Sequence, residues 1–184
     1  MPPLSLTFIT TSDKKLSEVK SILGSAFDVT RVAIDLPEIQ GTGEEIVKAK
    51  CLDAYRQLQQ PLMVEDTSLE FEAWNGLPGP YIKDFCARNT LKELYQMVKP
   101  LHTQNATAIC RIGYADFNGN VQIFEGRLKG SIVEPIGTNG FGFDAIFKPD
   151  ELESGSFATV TSDVKNSMSH RTRALNEMKI GLMV

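Results

Sequence analysis

The spacing of apolar residues along the chain alternates between two periods. Residues 4–10 are rich in β-branched and aromatic side chains and predict a strand. Leu16, Val19, Ile22 and Leu23 then recur at helical spacing behind Ser12 and Asp13, two N-cap candidates, and the stripe stops at Gly24. A second strand is predicted over 27–34, a Pro-containing loop over 35–41, and a helix over 43–58 with Ile46, Val47, Cys51, Ala54 and Leu58 inward. Residues 61–64 form a short apolar strand that runs directly into Glu65-Asp66-Thr67. A rigid turn at 76–80 precedes a helix over 89–98, where Thr90 and Glu93 have capping-box spacing and Pro100 is the stop. Period-two patterning returns over 106–116 and 121–132, and the Asn118-Gly119 pair between them is a hairpin signal. A glycine-rich stretch over 137–144, a short strand over 145–147 and a last helix over 167–180 complete the chain. Strand-helix-strand-helix-strand followed by a hairpin predicts an α/β fold with a mixed sheet.

Composition narrows this picture. The chain has 184 residues, 42% hydrophobic and 23% charged, as an ordinary globular chain does. A net charge of −4 argues against a long nucleic acid as partner. No apolar run approaches the ~18 residues of a membrane span, and the start has neither a basic region nor a signal-like stretch. Cys51, Cys86 and Cys110 are too far apart for a C-x-x-C site, and His102 and His170 are too few for a histidine zinc centre. The expectation is one cytoplasmic domain over residues 1–184, with no structural metal, no disulfide, no nucleic acid and no membrane partner.

Candidate chemistry starts with the acids. Asp66 is predicted at the carboxyl end of a buried strand, where open α/β sheets place their ligands. Glu65 is its neighbour, so the two side chains point to opposite faces, and a partner acid must come from elsewhere. Glu38, on the loop after the second strand, is the natural one. A hard cation such as Mg2+ needs only one or two protein carboxylates. The plainer reading is that Glu65 and Asp66 end a strand and cap a turn.

The cations run against local preference. Lys14 and Lys15 fall in the first turn of a predicted helix, and His170, Arg171 and Arg173 in the early turns of the last one, with Lys165 just before it. The helix dipole disfavours positive charge there by about 0.3–1 kcal/mol per residue at an exposed site. A bound polyphosphate would reverse that sign. Acids supplied from elsewhere in the fold would do the same. The 137–144 glycines match neither standard phosphate-binding fingerprint, although Phe141 and Phe143 could offer a ring to a base. Lys83 reads equally well as a surface lysine.

Taken together, the motifs resemble those of the inosine triphosphate pyrophosphatase family. Residues Thr10-Thr11-Ser12-Asp13-Lys14-Lys15-Leu16-Ser17-Glu18-Val19 resemble its T-G-N-x-x-K-x-x-E-[VI] opening, and Val64-Glu65-Asp66-Thr67-Ser68-Leu69 its V-E-D-[ST]-x-L segment. Gly76-Leu77-Pro78-Gly79-Pro80-Tyr81-Ile82-Lys83, Phe141-Gly142-Phe143-Asp144 and Ser169-His170-Arg171 are similar to its G-L-P-G-x-Y-[IS]-[KA], F-G-[YW]-D and S-H-R segments, in the same order. Thr11 and Ser12 stand where the family usually has Gly-Asn, and Ala145 where it has Pro.

The resemblance implies an elongated mixed sheet with flanking helices, two lobes around a nucleotide-binding cleft, and a homodimer. It implies hydrolysis of ITP, dITP and XTP to the monophosphate and pyrophosphate with Mg2+, for which Mn2+ could substitute. Glu38 and Asp66 would be the catalytic and metal-holding acids, Asp66 also orienting or deprotonating the attacking water. Lys15, Lys50 and Lys83 would meet the triphosphate, with the turn of Thr10, Thr11, Ser12, Asp13 and Lys14 around it and Thr67 beside Asp66. Phe141 would stack on the base within the Gly142, Phe143, Asp144 segment. Lys165, His170 and Arg171 would read the 6-oxo edge. Two alternatives stay open: a pyrophosphatase for modified pyrimidine or methylated nucleotides, and a non-catalytic nucleotide- or RNA-binding module.

Overall fold

The structure, a computed structural model, describes residues 2–183. β1 (Leu4–Ile9) leads into α1 (Asp13–Leu23), whose first turn is capped by Ser12, the hydroxyl accepting from Lys15 N at 3.2 Å. β2 (Phe27–Val32) and α2 (Gly43–Leu58) follow. Thr42 and Glu45 close a full capping box on α2, satisfying two otherwise orphaned amides. β3 (Leu62–Phe71), β4 (Pro78–Gly79), α3 (Ile82–Arg88) and α4 (Leu91–Val98) come next, then the long strands β5 (Asn105–Ala115) and β6 (Val121–Ile132). β7 (Phe147–Pro149), α5 (Ser162–Met168) and α6 (His170–Met183) complete the order.

The strands run β2-β1-β3-β5-β6-β7 across one seven-stranded sheet, with β4 added to β3. β1 is parallel to both β2 and β3, whereas β4 is antiparallel to β3 and β7 to β6, so the sheet is mixed, as the pattern predicts. Among the described residues no helix is long and apolar enough to cross a membrane.

The chain divides into two compact units. The first comprises the residues up to Asp66, Cys110–Gly126, and those from Arg171 on. There Leu6, Phe8, Met63, Cys110 and Ile112 pack with Val19 and Leu23 of α1 and with Ala174, Leu175 and Met178 of α6. Ile9, Leu62, Val64 and Ala115 pack separately with Val47, Cys51 and Ala54 of α2. The second unit comprises Thr67–Ile109 and Arg127–His170. Its core gathers Leu69, Phe71, Leu94, Val98, Leu128, Phe147 and Phe157. Burying each such side chain stabilises the fold by about 1.5–3 kcal/mol.

Several elements differ from the sequence expectation, among them β4 and α3, which the pattern does not predict. β3 continues to Phe71, so Asp66 lies within the strand rather than at its end. The patterned residues beyond it, Ser68, Leu69 and Phe71, are all fully buried, which is what carries the strand on. The final helix is two helices, because Ser169 adopts φ −64°, ψ 160° and breaks the path between α5 and α6. Lys165 therefore sits inside a helix of its own, capped by Thr161, instead of on the approach to the last one. Finally, residues 144–146 form a single 3-10 turn, and the short strand begins only at Phe147.

Candidate active site

The first unit gathers an ion cluster around Glu65. Arg171 grips this carboxylate with two donors, Nε to Oε2 at 2.7 Å and Nη2 to Oε1 at 2.8 Å. Its Nη1 donates to Glu18 of α1. Lys15, one helical turn before Glu18, places its ammonium 3.0 Å from Glu65 Oε1. Arg171 is 2% exposed, and its charge is sustained by the carboxylates around it. Burial acts to raise the Glu65 pKa, but the Arg171 guanidinium and the Lys15 ammonium outweigh it and hold the carboxyl well below its ordinary 4.5. For Arg171 burial acts downward, yet Glu65 drives its pKa well above the ordinary value.

On the other side of β3 the neighbouring acid has a different environment. The Lys50 ammonium of α2 lies 3.6 Å from Asp66 Oδ1 and 3.2 Å from Glu38 Oε1, and donates to the Glu65 carbonyl at 3.3 Å. Asp66 Oδ2 is buried and accepts no hydrogen bond. Burial raises the Asp66 pKa, with Lys50 and Lys15 opposing and Glu38 and Glu65 adding to the rise. An unsatisfied buried carboxylate oxygen is expensive unless a cation or a proton donor meets it. Two carboxylates facing one ammonium, one of them with an orphaned oxygen, form a donor set suited to a hard, oxygen-liganded cation. Among the described residues no group of three or more His, Cys, Asp or Glu assembles a complete protein-only metal cage.

The second unit builds a clasp on the glycine-rich loop. Asp144 Oδ2 accepts from Lys165 Nζ at 2.7 Å and from the Phe141 amide at 2.8 Å. The same ammonium lies 4.7 Å above the Phe141 ring and 5.6 Å from that of Phe157, within cation–π range of both. Asp144 reaches the loop only because Gly140 has no side chain. Its φ is +74°, and a Cβ there would stand 2.1 Å from Asp144 Oδ2. The amides of Thr138 and Asn139 both donate to the Ala158 carbonyl, tying the loop's start to the 157–159 turn. His170 stacks at a tilt against Phe143 and Phe157, with ring centroids 5.9 and 6.3 Å away.

A sequence profile of the Ham1 family matches residues 6–180. An inosine triphosphate pyrophosphatase of Schizosaccharomyces pombe is 42% identical over 176 residues, 95% of this chain and 93% of that protein. The chain belongs to the Ham1 family. A namesake enzyme of Emericella nidulans is 41% identical over 95% of this chain and 94% of its own length. The Ham1 protein of Coxiella burnetii shares the fold with a TM-score of 0.84 over 98% of both chains, at 24% identity.

In this Ham1 chain the residues singled out from sequence fall into groups. Glu38, Lys50, Asp66 and Lys15 meet around β3 in the first unit. Thr10, Ser12 and Asp13 form the turn before α1, where Ser12 N donates to Thr10 Oγ1 at 3.1 Å and Asp13 pairs with Arg31 of β2. Thr11 and Lys14 are exposed beside them. Phe141, Phe143, Asp144, Lys165 and His170 meet in the second unit, with Gly142 exposed on the loop. Lys83 is exposed on the first turn of α3, and Thr67 is half-buried in β3.

Arg171, which the resemblance implies reads a base edge, meets two carboxylates in the structure. Its Nε, Nη1 and Nη2 all donate to Glu65 or Glu18, which makes it a brace within the first unit. The Ham1 sequence gives little warning of the partners involved. Glu18 stands at the acid of the T-G-N-x-x-K-x-x-E-[VI] opening with no role attached to it, and Phe157 lies in a 3-10 turn outside any periodic segment.

Proposed function

We propose that this chain is a Mg2+-dependent nucleoside triphosphate pyrophosphatase that hydrolyses ITP, dITP and XTP to the monophosphate and pyrophosphate, removing deaminated purine nucleotides from the precursor pool. The observation that carries the reading is Asp66: a buried carboxylate with an orphaned oxygen, beside a lysine that also faces Glu38. The relatives named inosine triphosphate pyrophosphatase, covered almost end to end, support it from the side of sequence.

Glu38 and Asp66 are the residues that would hold the metal, with Mn2+ as a substitute. Such an ion supplies charge neutralisation on the phosphoryl oxygens and completes its shell from substrate and water. Asp66, ionised, orients the attacking water and takes its proton at Oδ2, the atom with no other hydrogen bond. Lys15, Lys50 and Lys83 meet the triphosphate, and the amides of the 10–15 turn lie at the start of α1, where backbone donors and helix dipole favour an anion. As pyrophosphate departs, these fixed positive groups stabilise the charge it gains.

Phe141 stacks on the base, and Lys165 and His170 frame its edge. A donor aimed at the 6-oxo oxygen would face an amino group in adenine, and a buried polar contact left unpaired costs roughly 1–3 kcal/mol, about five- to 150-fold in kcat/KM. A homodimer acting in the cytoplasm belongs to the same reading, with sedimentation velocity as its check.

The test is Mg2+-dependent release of pyrophosphate from ITP, XTP, GTP, ATP, dUTP and 5-methyl-UTP. Preference for ITP and XTP is the expected outcome. Preference for the pyrimidine substrates would move the enzyme to a different nucleotide class, and no release from any of them would remove the enzymatic reading.

A further inference from the structure

The cluster around Glu65 contains more than a phosphate-binding lysine needs. Lys15 and Arg171 are both cations, and both come to the same carboxylate oxygen, Oε1 of Glu65, at 3.0 and 2.8 Å. A second acid, Glu18, meets the far end of Arg171 from the same helix that carries Lys15. The four side chains sum to zero charge. Of these four groups, Glu18 is the one that balances the second cation.

We propose that Glu18 is a positioning residue that limits the anion affinity of Lys15. By drawing the Nη1 end of Arg171, it divides the guanidinium between two carboxylates and leaves Glu65 with enough unshared negative charge to hold the Lys15 ammonium. An incoming phosphate must compete with Glu65 for Lys15. The strength of that competition is set by Glu18, which contacts Lys15 through Arg171 and Glu65 and touches no substrate. Such a restraint keeps the site from retaining pyrophosphate after it forms. The inference rests on the reading that Lys15 meets phosphate.

Glu18→Gln keeps the length of the side chain and an acceptor for Arg171 while removing one negative charge, so the cluster rises to +1. Inorganic pyrophosphate, titrated calorimetrically at fixed Mg2+, should bind about three- to thirtyfold more tightly, the range that effective dielectric constants between water and a protein surface allow for one nearby charge. KM for ITP should fall in parallel, and kcat should fall rather than rise as product release slows. Arg171→Gln takes the cluster to −1 and should weaken pyrophosphate binding, so if one of these variants does not fold, the other still decides. Glu18→Asp, which retains the charge, should stay within about twofold of wild type. In a Lys15→Ala background the effect of Glu18→Gln should shrink to the direct pull of the lost charge on the anion, because the residue through which it mainly acts is gone.

Unchanged or weaker pyrophosphate binding in folded Glu18→Gln would overturn the proposal. So would an effect that persists undiminished without Lys15, or tighter binding by Arg171→Gln. Failure of the functional reading looks different: the wild-type protein would release no pyrophosphate from ITP, while the pyrophosphate titrations of wild type and variants would still report on the cluster.

Discussion

The Glu65 cluster of the first unit and the Lys165–Asp144 clasp of the second both bury ionised groups, but they compensate them by different means. In the first, charge answers charge: one carboxylate takes a bidentate arginine and a lysine, and the arginine extends to another acid. In the second there is one ammonium and one carboxylate, enclosed by the rings of Phe141 and Phe157. In either arrangement, taking away one partner leaves a buried charge uncompensated, which is costly. The Lys165–Asp144 pair also holds the Phe141 amide and lies against its ring, so it acts as a strut that fixes that ring. Under the proposed function, the first arrangement meets phosphate and the second a flat base.

The sharpest contrast lies between two adjacent residues of β3. Glu65 is held well below its ordinary pKa and Asp66 above its own. Their contributions to stability therefore depend on pH in opposite senses. Glu65 contributes stability that is fully present above 4.5 and is lost as pH falls toward its lower folded value. For Asp66, stability falls as pH rises from 3.8 through its raised folded value, because ionising it in the interior costs energy.

Breaking the first of these should give the largest effect. Glu65→Gln leaves Arg171 and Lys15 without their shared carboxylate and should cost about 3–5 kcal/mol at pH 7, read by urea unfolding. The penalty should shrink as pH drops below 4.5, since the wild type then loses the same interaction. A variant as stable as wild type at neutral pH would mean that Glu18 alone suffices for Arg171.

Asp66→Asn is next. It should lower kcat by at least ~10²-fold, the scale of a general base, without lowering the melting temperature as Glu65→Gln does. Near-normal turnover of ITP by the variant would remove Asp66 from the chemistry.

Local pattern made the elements legible and left their charge partners dark. Helix 43–58 and strand 121–132 agree with their sequence boundaries because each carries its own punctuation: the Thr42–Glu45 capping box for one, and Asn118-Gly119 followed by alternation for the other. The two cation-bearing helix starts were visible as anomalies. Their shared answer was not, because Lys15 and Arg171 find Glu65 across 50 and 106 residues of chain. Glu65 and Asp66 read in sequence as a polar stop, whereas partners on either face of β3 let the strand continue past them. The break at Ser169 leaves no mark in the sequence, because the 162–183 stretch contains neither glycine nor proline before Gly181.

The strut of the second unit is best tested through the glycine that admits it. Gly140→Ala requires a side chain at φ +74° and displaces Asp144 from its place against the loop. Both effects together should cost about 1–3 kcal/mol of stability. If the clasp serves to hold the Phe141 ring, KM for ITP should rise more than kcat falls. A variant that loses stability while KM stays unchanged would separate the clasp from base binding.

The smallest effect bears on whether the division of labour is complete. Lys83 belongs to the second unit, yet it is exposed on the first turn of α3 and is no part of the aromatic clasp. If it meets phosphate, as proposed, the second unit contributes to both halves of the substrate. Phosphates are common to every nucleoside triphosphate, so Lys83→Ala should raise KM for ITP and for GTP by the same factor. An exposed lysine works in high dielectric and is screened by salt, so that factor should be only about three- to tenfold at low ionic strength and should shrink at ~0.5 M salt. The melting temperature should not move, because no core contact is lost. Steady-state kinetics with both nucleotides at two salt concentrations make the measurement. A shift in the ITP-to-GTP ratio instead would assign Lys83 to the base, and would leave phosphate binding to the charged cluster of the first unit and the lysine of α2.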